Sequence, residues 1–249
     1  MEKLVSIITP CYNSEKYLKA TFNSIQNQTY QNWEWIIVDD CSTDDSIELI
    51  KSFGEDRIKL LANEVNSGAS LSRNKALKSA NGIYITFIDS DDLWESTFLE
   101  DSINFLISNN EVLVYSSYKR VDENLNHLLD DFQAIDKVDY NRILYNCPIP
   151  MLTSVYDSSV IGKIYFPNVD LREDHAMWIE VLKRTKYARA INKSLGIYRI
   201  RDNSVSRNKY KIAIKQFGLY YNYMNFNIFK SSFFTISWAI NGLKKYGKF

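Results

Sequence analysis

Cysteine is scarce: Cys11, Cys41 and Cys147 are the only three in 249 residues. An odd number without metal-type spacing argues against a disulfide framework or a structural zinc and fits a reducing cytosol. Histidine is scarcer, with His127 in a loop pattern and His175 beside two acids. Net charge is missing, since 30 Lys and Arg balance 30 Asp and Glu, so nothing global points to nucleic acid. No uninterrupted apolar run reaches the roughly twenty residues that a membrane span needs. Met1 to Val5 runs straight into a strand pattern and leaves no room for a signal peptide. Repeats and low-complexity tracts are absent too. One absence is local: from Arg207 to Phe249 there are lysines and an arginine but no acid.

What is present is a rhythm of short apolar runs and amphipathic stretches. Strands are expected at Leu4–Thr9, Trp35–Val38, Ile58–Leu61 and Ile83–Ile88. Helices are expected after the N-caps Ser14 and Ser42–Asp45, and over Ser70–Ala80. A further helical pattern follows Ile88 (Leu93, Phe98, Leu99, Ile103, Leu106), with Asp92 as its capping acid. Such alternation implies α/β architecture: a mostly parallel central sheet with right-handed crossovers, flanked by helices. After Glu111 the rhythm weakens. Val112–Tyr118, Leu152–Tyr156, Tyr187–Ile191 and Leu195–Ile200 read as strands, Asn124–Lys137 as a surface loop with a short strand, and Asp139–Tyr145 and Glu173–Arg184 as helices.

Three early strands run out into polar groups: Pro10-Cys11-Tyr12-Asn13, Asp39-Asp40 and Asp89-Ser90-Asp91. In a parallel sheet those ends share one edge, where ligands of open α/β sheets bind. Alternation along an extended chain would turn Asp89 and Asp91 to the same side. Two converging carboxylates repel unless a cation lies between them, and oxygen-only ligands suit Mg²⁺ or Mn²⁺. A ring, acceptors and a cation at one edge would suit a nucleoside diphosphate, with Arg73 adding a charge-assisted contact. Each residue also has a plainer reading. Tyr12 would be core, Asn66 and Gly68 would shape a turn, and Arg73 would pair with a surface acid.

Taken in order, Val5-Ser6-Ile7-Ile8-Thr9-Pro10-Cys11-Tyr12-Asn13, Ile36-Ile37-Val38-Asp39-Asp40-Cys41-Ser42-Thr43-Asp44, Asn66-Ser67-Gly68 with Ser72-Arg73-Asn74, and Ile88-Asp89-Ser90-Asp91-Asp92 resemble the successive signatures of family 2 glycosyltransferases with a GT-A fold. The resemblance implies an inverting transferase that uses a nucleotide-sugar, usually a UDP-sugar, and a divalent metal. It implies that Pro10 and Tyr12 frame the base, that Asp40 accepts the uracil N–H with Asp39 in support, and that Arg73 contacts the nucleotide. Asp89 would lie near ribose and metal, and Asp91 would be the main metal ligand. Leu171-Arg172-Glu173-Asp174-His175 resembles the family's Glu-Asp motif, which would make Asp174 the catalytic base and Glu173 its partner in orienting the acceptor. The plainer reading is a helix N-terminus with two acids, each worth about 0.3–1 kcal/mol. Many relatives have a histidine where Arg201 stands. That change removes a potential metal ligand and supplies a charge for the leaving diphosphate.

The expected organisation is a catalytic domain over 1–206, with a nucleotide-binding half (1–110) and an acceptor half (111–206), and a helical tail over 207–249. In the tail Ile214, Phe217, Tyr221, Met224 and Ile228 recur at spacings of three and four, and Phe233, Phe234, Ile236, Trp238 and Ile240 follow. Lysines beside an aromatic stripe without acids suit an anionic membrane surface. Packing on the catalytic domain or a homodimer contact are the other readings. The family resemblance and the tail together imply a bacterial polysaccharide glycosyltransferase at the cytoplasmic membrane face, acting on a glycan or lipid-linked glycan. A sugar nucleotidyltransferase would carry a glycine-rich, basic loop where Pro10–Asn13 stands. A non-catalytic nucleotide-binding module would have no use for both Asp91 and Asp174.

Overall fold

The computed structural model describes residues 2–169, 171–201 and 209–246. Its first half is a regular α/β unit. Strands β1 (Val5–Cys11), β2 (Trp33–Asp39), β3 (Ile58–Ala62) and β4 (Tyr84–Phe87) alternate with helices α1 (Glu15–Gln26), α2 (Ser46–Ser52) and α3 (Ala69–Ser79). These strands are all parallel, in the order β3-β2-β1-β4. The second half contributes β5 (Leu93–Trp94), α4 (Phe98–Asn109), β6 (Leu113–Val121), β7 (His127–Phe132), β8 (Lys137–Val138), α5 (Tyr140–Ile143), β9 (Val155–Asp157), α6 (Ser158–Ile161), α7 (Glu173–Leu182) and β10 (Ala188–Arg199). Here the sheet becomes mixed: β9 is antiparallel to β4 and β6, whereas β10 runs parallel to β6.

Side-chain alternation sorts the strands into two cores. Ile8, Ile36, Val38, Ile85 and Phe87 face α3 and α7. Val5, Ile7, Trp35, Ile37 and Tyr84 face α1 and α4. The sheet is therefore covered on both sides, as parallel strands require. Asn81-Gly82 does make the turn into β4, and only glycine fits there. A Cβ on Gly82 would lie 2.6 Å from the Ser6 nitrogen and 2.7 Å from the Leu4 oxygen.

Several expectations change. The helix after Asp92 begins at Phe98, because Leu93 and Trp94 first pair with Ile197 and Gly196 of β10. Asp92 is therefore no cap; it is buried and accepts the Arg199 backbone N–H at 2.9 Å. Ser14 and Asp45 stand at helix starts without side-chain caps, although Asp44 Oδ1, from the expected cap segment, accepts the Ser46 N–H at 3.1 Å. The Ser14 hydroxyl goes instead to the Tyr12 carbonyl and the Ser90 hydroxyl. The two strands read at 187–191 and 195–200 are one strand, bent by register shifts between Ile191 and Gly196.

The tail also departs from a continuous stripe. Helix α8 (Lys209–Gly218) opens into a π-helical turn (Leu219–Tyr223), and the chain bends at Asn225, with φ 53°, before α9 (Ile228–Tyr246). The inward residues are Gln216, Leu219, Tyr220 and Phe234, while Ile214, Tyr221 and Ile228 are exposed. No described helix is long and apolar enough to cross a membrane.

Candidate functional site

The ends of β1, β2 and β4 are tied to one another by hydrogen bonds. Asn13 Oδ1 accepts the Thr43 N–H at 2.8 Å, and Ser46 Oγ accepts the Ser14 N–H at 2.8 Å. Ser14 and Ser90 share a 2.7 Å hydroxyl contact that joins the first loop to the third. β1 runs through the half-buried Pro10 and ends at Cys11, and the Tyr12 ring beyond it is 50% exposed, so it is not a core residue.

Asp39 and Asp40 have different surroundings. Asp40 Oδ1 accepts from Asn63 Nδ2 at 2.7 Å and the Ser67 N–H at 2.8 Å, and Oδ2 accepts the Gly68 N–H at 2.7 Å. Burial opposes the charge, yet these donors hold the Asp40 carboxyl below the ordinary range. Gly68, with φ +85°, supplies the left-handed bend that aims its N–H at Asp40. Asp39 Oδ2 takes the Ser42 N–H at 3.0 Å. Its Oδ1 is buried with no hydrogen-bond partner among the described residues.

The third strand end is a turn rather than an extended run. β4 stops at Phe87, and the Asp92 N–H returns to the Asp89 carbonyl at 3.1 Å. The turn, not the pleat, brings Asp89 and Asp91 close enough to repel. Burial and then Asp89 push the Asp91 carboxyl up, and Arg201 opposes them. Arg201 Nε lies 2.8 Å from Asp91 Oδ2, and Arg73 Nη2 lies 2.5 Å from Asp89 Oδ1. Asp92 is pushed well up by burial and by its two acidic neighbours.

Arg199 was not singled out from the sequence, yet it organises this turn. Its Nε donates to the Asp91 carbonyl at 2.9 Å and its Nη1 to the Glu123 carbonyl at 3.0 Å, and its guanidinium covers the Tyr17 ring. A signal was available: Arg199 and Arg201, two apart at a strand end, fall on one side.

Arg73 is the link to the second acid pair. Burial opposes its charge, but Asp89, Glu173 and Asp174 together hold it charged. Its guanidinium also faces the Phe166 ring, and Asn74 next to it bonds both the N–H and the carbonyl of Phe166. The loop leading to Glu173 is thus fastened to α3. Glu173 and Asp174 open α7, and Asp174 Oδ1 accepts the His175 N–H at 2.7 Å. Burial and then Asp174 push the Glu173 carboxyl up. Leu171, just before them, sits in the left-handed region at φ 60°.

No trio of His, Cys, Asp or Glu side chains among the described residues is set to hold a metal ion. The donor set still suits one kind of ion: Mg²⁺ and Mn²⁺ commonly take one or two carboxylates and complete their shell with phosphate oxygens. Asp89 and Asp91 would be those carboxylates, with Arg201 displaced from Oδ2. A separate groove of about 390 Å³ between Asn168–Val169 and the first part of the tail is lined by none of these acids.

A two-sided α/β sheet whose strand ends gather acids and arginines defines a GT-A-type glycosyltransferase. The chain belongs to glycosyl transferase family 2, whose model matches residues 6–154. It is 35% identical over 244 residues to the putative teichuronic acid biosynthesis glycosyltransferase TuaG of Bacillus subtilis, covering 97% of both chains. It is 37% identical over 245 residues to the Escherichia coli UDP-Glc:alpha-D-GlcNAc-diphosphoundecaprenol beta-1,3-glucosyltransferase WfgD, covering 98% of this chain and 95% of that one. Among solved structures, Staphylococcus aureus TarS 1–349 in complex with UDP-GlcNAc superposes with a TM-score of 0.75 at 23% identity, over 98% of this chain and 73% of that one.

Proposed function

We propose that the chain transfers a sugar, with inversion, from a UDP-linked donor to a hydroxyl of a lipid-linked glycan during surface-polysaccharide synthesis. The observation that carries this is Arg73, whose Nη2 lies 2.5 Å from Asp89 Oδ1 and whose charge Glu173 and Asp174 also favour, so that one guanidinium links the two acid pairs. The names of the relatives support the donor and acceptor classes: WfgD takes UDP-Glc and a GlcNAc-diphosphoundecaprenol.

In this reading residues 1–110 hold the donor and 111–206 the acceptor. Pro10 and Tyr12 frame the base, Asp40 accepts its N–H with Asp39 in support, and Arg73 and Arg201 face the diphosphate. Asp174 takes the proton from the acceptor hydroxyl, oriented by Glu173. The freed oxygen pair attacks the anomeric carbon from the face opposite the diphosphate, whose C–O bond breaks with its electrons leaving on UDP. A divalent ion held by Asp91 and Asp89 would add positive charge at that leaving group. A thermal-shift panel of nucleotide-sugars, with and without Mn²⁺, tests the donor class. UDP-sugars are expected to raise Tm, because a ligand that binds only the folded state stabilises it by mass action. No rise with any of them, in either condition, would reject the assignment.

The tail is the part suited to a lipid-linked acceptor. Phe229, Phe233, Ile236 and Ile240 recur every three or four residues on α9 and are all exposed, Phe229 to 83%. With no acid after Arg207, this face matches an anionic leaflet, where each basic residue contributes about 1 kcal/mol. The full chain is expected to co-sediment with vesicles rich in anionic lipid at low salt and to release as salt rises and screens the surface. Equal recovery with neutral vesicles would remove the anionic leaflet from the proposal, and recovery with neither would remove the membrane.

A further inference from the structure

The inner side of the same tail touches the residues on both flanks of the Glu173–Asp174 pair. Arg172 stands just before helix α7 and gives it no side-chain cap. His175, fully buried, follows the pair. Its Nε2 lies 2.8 Å from the Ile143 carbonyl, which only accepts, so Nε2 carries the proton. Nδ1 is then an acceptor, and two donors reach it: Gln216 Nε2 at 3.2 Å and Arg172 Nη2 at 3.3 Å. The imidazole is neutral and fully used; burial first, then Arg172, lowers it to about 4.

Three separate parts of the tail meet here. Gln216 comes from α8 and is fully buried. Tyr220 comes from the π-helical turn; its ring stands edge-on to His175 with centroids 6.2 Å apart, and its hydroxyl donates to the Leu144 carbonyl at 2.6 Å. Trp238 comes from α9, with the Arg172 guanidinium 5.5 Å from its ring centroid. Gln216 Oε1, meanwhile, is buried without a hydrogen-bond partner among the described residues. A buried amide that uses one end and leaves the other unpaired calls for an explanation, since a methionine would fill the space without that cost.

The geometry points to Gln216 as a positioning residue for catalysis: through His175 it sets the first turn of α7, and with it the carboxylates of Glu173 and Asp174. The tail is then part of the catalytic apparatus as well as a membrane contact. This inference rests on the proposed role of Asp174 as base. A base acts only when its oxygen is within hydrogen-bond reach of the acceptor hydroxyl, and a shift of about 1 Å can cost up to about 10²-fold.

The test uses the full chain and the variant Gln216→Met, which keeps length and volume and removes the donor. The expected result is a kcat lower by about tenfold to a hundredfold, with donor KM and UDP affinity by calorimetry within twofold of wild type. Combining it with Asp174→Asn separates positioning from general damage. Once the base is gone, Gln216→Met is expected to change the residual rate less than twofold. An equal loss in both backgrounds, or loss of UDP affinity alongside kcat, overturns the proposal. If Gln216→Met does not fold, Gln216→Asn, which keeps the amide but draws it back from His175 by one methylene, is read the same way, and an unchanged kcat there overturns it. Wild-type turnover in Asp174→Asn alone refutes the base itself. Loss in Asp174→Asn with full activity in Gln216→Met refutes only the positioning role.

Discussion

Asp174→Asn is expected to lower transfer by about 10²–10⁴-fold while UDP binds as before. The argument is local. Asparagine keeps the size of the side chain, and its carbonyl oxygen can still accept the His175 N–H that Asp174 Oδ1 accepts at 2.7 Å. The start of α7 therefore keeps its hydrogen bond. What is lost is the ability to take a proton from the acceptor hydroxyl. The three strand ends that would hold the nucleotide are untouched, so calorimetric UDP affinity should match wild type. Turnover near the wild-type rate would mean that the acid pair only begins a helix.

Arg199→Met is expected to damage both stability and activity, and Arg199→Lys to rescue neither. Arg199 reaches the Asp91 and Glu123 carbonyls with two different nitrogens, and its guanidinium covers Tyr17. Both acceptors are half-buried, so losing the two bonds is expected to cost about 1–3 kcal/mol in all. In a domain of this size that lowers Tm by several degrees, since about 1 kcal/mol corresponds to 2–4 °C. Lysine brings one ammonium and no rigid fork, and cannot serve both carbonyls at once. With the Asp91 backbone released, the Asp89–Asp92 turn no longer holds its acids in place, and transfer should fall by more than tenfold. A variant with an unchanged melting curve would show that the turn keeps its shape without this arginine.

The first half of the chain was legible because its structure is locally determined. Each strand from Val5 to Phe87 is its own short, mostly apolar run, and each helix packs beside its neighbouring strands. The acids could be listed from their positions at strand ends. The later half was harder for a physical reason: its pairings are long-range. Leu93 and Trp94 look like the start of a helix until β10, a hundred residues later, pairs with them. Asp92 has the sequence of a cap, and only the arrival of Arg199 makes it a buried acceptor. In the tail, spacings of three and four assume an unbroken α-helix. The π-helical turn and the bend at Asn225 interrupt it, and the face that turns inward is Gln216, Leu219 and Tyr220, also three and four apart, beside the expected stripe. Gln216 gave no signal at all, because a lone glutamine in a basic helix reads as surface.

The hydrogen bonding of Asp40 has a consequence for inhibitors of the proposed base site. Its oxygens tie Asn63, Ser67 and Gly68 to one another. A wall braced by three hydrogen bonds asks little ordering entropy of whatever docks there, so affinity should follow how well a compound matches its contour. Stiff, flat heterocycles of the right outline should therefore gain more from this surface than flexible mimics of the whole donor.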